Sequence, residues 1–162
     1  MHSPVAALSR TLQALAAILT KAEAHCTAHK IDAAVMLALR LFPDMLPLTR
    51  QVQLTCDFCA RSVARLSGSD VPSYPDVETT FAELQTRIAT AKTYVDGFSP
   101  AQFDGSETRE ITLQMRGAEV KMSGADYCTL YSLPQVYFHA TTAYNILRHN
   151  GVGIGKRDFM GA

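Results

Sequence analysis

The chain has no tryptophan, no run of basic residues and no uninterrupted apolar stretch of membrane-spanning length. Each absence excludes something. Fifteen Lys and Arg balance fifteen Asp and Glu, so there is no electrostatic footprint for nucleic acid or for an anionic membrane surface, and neither is expected as a partner. A transmembrane helix needs about 18 or more consecutive apolar residues. The most apolar segment, "MHSPVAALSRTLQALAAILTKAEAHC", is interrupted by Arg10, Gln13 and Thr20 and has no basic leader. It reads as an amphipathic first helix rather than a signal peptide, and the expected location is cytoplasmic.

Cysteine is also scarce. Of Cys26, Cys56, Cys59 and Cys128, only Cys56 and Cys59 form a close pair, in "TCDFCARSV". A redox Cys-x-x-Cys opens a helix after a strand, where the helix N-terminus lowers the thiol pKa. This pair falls in the middle of a helical pattern with no strand before it. A zinc site would need further ligands at matching spacing, and none accompanies Cys128. The favoured reading is two small residues on a buried helix face.

What is present is a globular composition: 162 residues, 48% hydrophobic and 19% charged, enough for one domain with one core. The domain is expected to span residues 1–162. Val5, Leu8, Leu12, Leu15, Ile18 and Leu19 recur at three- and four-residue steps and predict a helix from Pro4 to about His29. Asp32 is positioned to cap a short helix, Ala33 to Leu41, which the "FPD" break ends. Asp44 is expected to cap a second long helix, with Pro47 in its first turn and Leu48, Val52, Cys56, Cys59 and Val63 as its stripe, ending near Gly68.

The segment "SGSDVPSYPD" has loop composition. Asp76 or Thr79 then starts a third long helix with the stripe Phe81, Leu84, Ile88, Ala91 and Val95, ending at Gly97. After "FSPAQFDGS", a turn, the apolar period changes to two. Ile111, Leu113 and Met115, then Val120 and Met122, alternate with polar residues around "RGA", which predicts a β-hairpin. Ser123 and Asp126 resemble a capping box for a last helical stretch that Pro134 kinks or restarts and that runs to Gly151. The fold class is therefore mainly all-α: an up-down bundle of four long helices with a small hairpin inserted before the fourth.

Four blocks, "LRLFPDMLPLTRQVQ", "TFAELQTRI", "LPQVYFHATTAYNILRHNGV" and "GKRDFMG", resemble those of an uncharacterised bacterial family of unknown function allied to the DinB/YfiT-like metalloenzyme superfamily. The resemblance spans nearly the whole chain. It implies a DinB-like four-helix bundle, often dimeric, whose metal site is typically three histidines. One sits on the second long helix and two sit on the last helix. Anchored on "LRHNG", the last-helix pair falls on Gln135 and His139, and the second-helix position falls near Gln51. Two of the three imidazoles are therefore amides in this chain.

The residues themselves allow these positions to meet. Gln135 and His139 are neighbours on one helix face at a four-residue spacing, and Gln51 lies one turn beyond Pro47 on a helix that can pack against it. An amide oxygen is a poor ligand for zinc or nickel, so Gln51, Gln135 and His139 are expected to form a degenerate site. No cofactor is expected, and zinc or nickel is disfavoured. For His139 alone, a hydrogen bond to Gln51, Tyr137 or a backbone carbonyl is favoured over metal binding, and a general-base role ranks below both. Arg40 and Asp44 are expected to pair across the "LFPD" break, and the tail "GVGIGKRDFMG" to form a flexible arm that Phe159 and Met160 can tuck against the bundle or a partner. The functional expectation is a non-catalytic or small-molecule-binding homodimer, associating through the long helices and the apolar stripe of the first. The alternative is a metal-dependent or thiol-using hydrolase or transferase of the DinB type.

Overall fold

A computed structural model describes residues 3–161. The elements run in the order α1 (Val5–His29), α2 (Ala33–Ala38), α3 (Leu48–Ser67), α4 (Phe81–Asp96), a 3-10 turn (Pro100–Phe103), β1 (Glu110–Met115) and β2 (Ala118–Ser123). They end with α5 (Gly124–Asp126), a π-helical turn (Tyr127–Ser132), α6 (Leu133–His149) and α7 (Lys156–Met160). The long helices close a cycle of packed pairs, with α1 on α4, α4 on α3, α3 on α6 and α6 on α1.

The predicted stripes are the core, save Val5, which is only partly buried. Leu8, Leu12, Leu15, Ile18 and Leu19 of α1, Leu48, Val52, Cys56, Cys59 and Val63 of α3, and Phe81, Leu84, Ile88, Ala91 and Val95 of α4 are all sealed from solvent. This uses up the α1 stripe inside the chain. Exposed apolar side chains lie elsewhere, among them Leu41, Phe42 and Leu46 on the link between α2 and α3 and Leu130, Tyr137 and Phe138 on the stretch from the π-turn into α6.

Helix ends differ from expectation where local hydrogen bonds compete. Asp32 does cap α2, accepting from Ala34 N at 2.9 Å, but α2 stops at Ala38 because Leu39 turns extended and its carbonyl accepts from Leu48 N at 2.8 Å. Asp44 caps nothing; α3 begins after Pro47, whose extended ψ of 167° makes it the residue outside the helix. Arg40 does not pair with Asp44 either. Its guanidinium donates to Met45 O at 3.0 Å, so a carbonyl rather than a carboxylate holds the break. The start of α4 is a full capping box on Thr80 and Glu83, with Thr79 donating to the same carboxylate.

The hairpin is as the alternation predicted: β1 and β2 pair antiparallel from Glu110↔Ser123 to Met115↔Ala118, with Ile111 and Leu113 facing the core. Arg116 and Gly117 both take positive φ, 52° and 83°, the combination a tight two-residue hairpin turn needs. Ser123 Oγ accepts from Asp126 N at 3.1 Å, and the π-turn then feeds into α6 with Pro134 in its first turn. The tail is not a free arm. It folds into α7, where Asp158 pairs with Lys21 and the Phe159 ring meets Tyr144 edge-on at 5.9 Å.

Candidate functional site

His139 lies at mid-length on α6, facing the first turn of α3. Because α3 starts immediately after Pro47, Gln51 sits in that first turn, where its side chain can reach back to the entering chain. Gln51 Nε2 donates to Leu46 O at 3.1 Å. Its Oε1 is thereby turned to His139 Nδ1, 2.8 Å away. A carbonyl-type oxygen only accepts, so Nδ1 carries the proton and Nε2 keeps its lone pair. Nε2 has no hydrogen-bond partner among the described residues, and it is not one of the atoms sealed from solvent without one.

The imidazole is clamped by rings. Phe58 of α3 stacks on it at 5.5 Å with planes 10° apart, Phe138 meets it edge-on at 5.2 Å, and Tyr131 packs edge-on against Phe58 at 6.2 Å. Burial, and then the positive charge of Arg50, push the His139 pKa down to about 4. The ring is neutral near pH 7, a hydrogen-bond acceptor of fixed tautomer.

Gln135 stands apart from this pair. It is half-buried one helical turn from His139 and makes no hydrogen bond to a described residue. With Leu130, Tyr131, Pro134 and Phe138 it lines a surface groove of about 390 Å³. The structure thus brings Gln51 and His139 into direct contact and leaves the Gln135 amide facing the groove beside them. As a metal centre the donor set does not fit. Both polar atoms of Gln51 are already engaged, which leaves one imidazole nitrogen and one amide where a catalytic zinc has three protein ligands. Among the described residues, no group of three or more His, Cys, Asp or Glu is arranged to hold a metal ion.

A second polar cluster lies alongside, and the sequence reading missed it. Arg87 of α4, its side chain only 3% exposed, bonds Asp57 of α3, reaches Glu78 at 3.1 Å and Asp76 at 3.4 Å, and donates to Pro75 O at 3.1 Å. Its guanidinium lies over the Tyr74 ring, 4.4 Å from the centroid. Asp57 is also held by Arg61 at 2.8 Å, and Glu78 by Gln53 at 2.8 Å. Arg50 pairs with Asp76 and donates to Gln53 Oε1 at 3.1 Å. The loop between α3 and α4 is therefore strapped to the bundle by charge. Arg50 links the two centres, since it belongs to this network and its charge also acts on His139. The available signal was a charged residue at core spacing: Asp57 between Cys56 and Phe58, and Arg87 next to Ile88.

All four cysteines are free and buried. Burial pushes the Cys56 thiol up to about 12 and Cys59 well above its ordinary value. Neither can supply a thiolate near pH 7, so the Cys-x-x-Cys pair is packing.

A family model described as a domain of unknown function, DUF1993, matches residues 2–160. Among solved structures, a DinB family member protein from Shewanella denitrificans is similar at a TM-score of 0.92 and 45% sequence identity, covering 98% of this chain and 89% of that one. No curated protein matches the chain.

Proposed function

The chain belongs to the DUF1993 family, and from that premise we propose that it is a non-catalytic DinB-like bundle whose groove at Gln135, beside His139, binds a small neutral molecule without a metal. The observation that carries this reading is the chain Leu46 O, Gln51, His139, in which one amide fixes one imidazole tautomer. In metalloenzymes such a partner orients a ligating histidine. Here it orients an acceptor that has no fellow ligands. The occupant it suits carries an O–H or N–H donor for Nε2 and an apolar face for Phe138 and Tyr131, with the Gln135 amide offering a further donor and acceptor.

The enzymatic alternative needs groups this site does not offer. A metal-dependent reaction needs more ligands than one nitrogen and one amide, and His139, its pKa pushed down to about 4, is a weak general base near pH 7. Association as a homodimer belongs to the same proposal. It is supported by the exposed Leu130 and Phe138, 73% and 56% exposed, beside the groove. A cytoplasmic location is supported by four cysteines left unpaired.

Saturation-transfer NMR with a panel of phenols and aromatic amides tests the ligand reading. Binding is expected for members that pair a donor with a ring, and loss of at least tenfold in affinity in His139→Ala. If no member binds the wild-type chain, or if binding is indifferent to His139, the ligand reading falls.

A further inference from the structure

The last turn of α1 carries a pair of imidazoles, in "HCTAH". His25 and His29 are one helical turn apart, and their rings lie nearly parallel, with centroids 4.2 Å apart and planes at 24°. His29 Nδ1 is 3.1 Å from His25 O. The carbonyl can only accept, so Nδ1 holds the proton and Nε2 presents its lone pair. A backbone carbonyl on the far ring nitrogen is the arrangement that sets the tautomer and raises the basicity of metal-bound histidines. The His25 ring makes no hydrogen bond to a described residue. Its Cε1–Nε2 edge faces Gly151, 3.7 and 3.9 Å from where a Cβ would stand, so the missing side chain there leaves that edge open.

We propose that His25 and His29 form a bidentate site for a borderline divalent transition cation, Cu²⁺, Ni²⁺ or Zn²⁺. Two histidines at this spacing share one helix face and converge on a common ion in helical metal sites. Imidazole suits these ions, and for a site of this kind Cu²⁺ binds more tightly than Ni²⁺ or Zn²⁺. The place is favourable as well, since His29 ends a helix of 25 residues and the partial negative charge of a helix C-terminus attracts a cation. Lys30, next in the chain, opposes it. In the stacked arrangement the in-plane lone pairs run side by side, so chelation requires the exposed His29 ring to turn until its Nε2 converges with that of His25. With two protein ligands, the remaining positions go to water.

The site is separate from the bundle pocket. His139 lies ten residues before the end of α6, about 15 Å along the helix axis. The two can therefore be tested independently on untagged full-length protein. Calorimetric titration with CuCl₂ and NiCl₂ is expected to show one ion per chain, Cu²⁺ the tighter. Affinity should drop at least tenfold in His25→Ala and in His29→Ala, and hold in His139→Ala. Electron paramagnetic resonance of the Cu²⁺ complex should show nitrogen ligation that both variants reduce. Alanine favours helix at these surface positions, and His29→Gln serves as a second variant. No binding by the wild-type chain, or binding that survives both substitutions, overturns the site. Binding lost only in His139→Ala overturns it too, and also contradicts the metal-free reading of the bundle pocket, whereas loss confined to the His25 and His29 variants leaves that reading untouched.

Discussion

Gln51 and His139, 88 residues apart in sequence, share a 2.8 Å hydrogen bond in which the imidazole donates and the amide oxygen accepts. The direction follows from Leu46, whose carbonyl has already claimed the amide nitrogen. Gln51, expected from the resemblance at a ligand position, is here the side chain that orients His139.

The depressed pKa of His139 gives a pH dependence with a definite sign. Its folded value, about 4, lies below the ordinary histidine value of 6.5, so between these the unfolded chain binds more protons than the folded one. Its contribution to stability is complete above pH 6.5 and is lost as pH falls toward 4. Discounted for the solvent-reaching edge, roughly 2 kcal/mol is expected to disappear between pH 7 and pH 4.5. Urea unfolding of wild type and His139→Phe at both values isolates it, since only the wild type should show this part of the slope.

Gln51→Leu removes the acceptor and leaves a buried imidazole N–H with no partner. A cost of about 1–3 kcal/mol is expected, with the tautomer no longer held. Long-range ¹H–¹⁵N spectra of the His139 ring should shift from a single Nδ1–H form to a mixture. An unchanged spectrum would contradict the assigned direction of the bond.

Arg87→Met removes the guanidinium that Asp57 and Glu78 share, leaving the nearly sealed Asp57 to Arg61 and Glu78 to Gln53. Breaking such a buried pair by removing one partner costs about 3–5 kcal/mol. Lysine cannot replace the fork that reaches three acidic groups and a carbonyl, so Arg87→Lys should recover little of it. Thermal unfolding of the two variants is the check, together with faster proteolysis in the loop between α3 and α4.

At Gly124 an added Cβ would stand 1.9 Å from the carbonyl oxygen of Ser106. That oxygen belongs to backbone that Ala125 N and Glu107 O tie down at 3.1 Å, so neither side can withdraw cheaply. Gly124→Ala should destabilise by more than about 1 kcal/mol, although alanine is the better helix former.

Light scattering at micromolar concentration is expected to give twice the mass of one chain. Phe138→Asp should return it to the mass of one, while Phe42→Asp tests whether the exposed link between α2 and α3 contributes. A wild-type chain that is monomeric throughout would remove the dimer from the proposal.

What the sequence determined by itself was set by local periodicity. A three-to-four-residue apolar rhythm places α1, α3 and α4, and the single change to alternation places the hairpin, because each pattern lets only one kind of backbone bury its apolar face. Gly68 and Gly97 stop their helices near the expected places. Tertiary structure decided where the polar side chains go. Arg40 prefers the Met45 carbonyl to Asp44, and Asp76 is taken by Arg50 and Arg87 instead of capping α4. The stripe of α1, which on its own looks available to a partner, is consumed by α4 and α6. Gln51 is an orienting partner rather than a ligand only because α3 and α6 pack closely enough for its amide to reach His139. Such outcomes depend on the distance and rotation between helices dozens of residues apart, and a one-dimensional pattern carries neither.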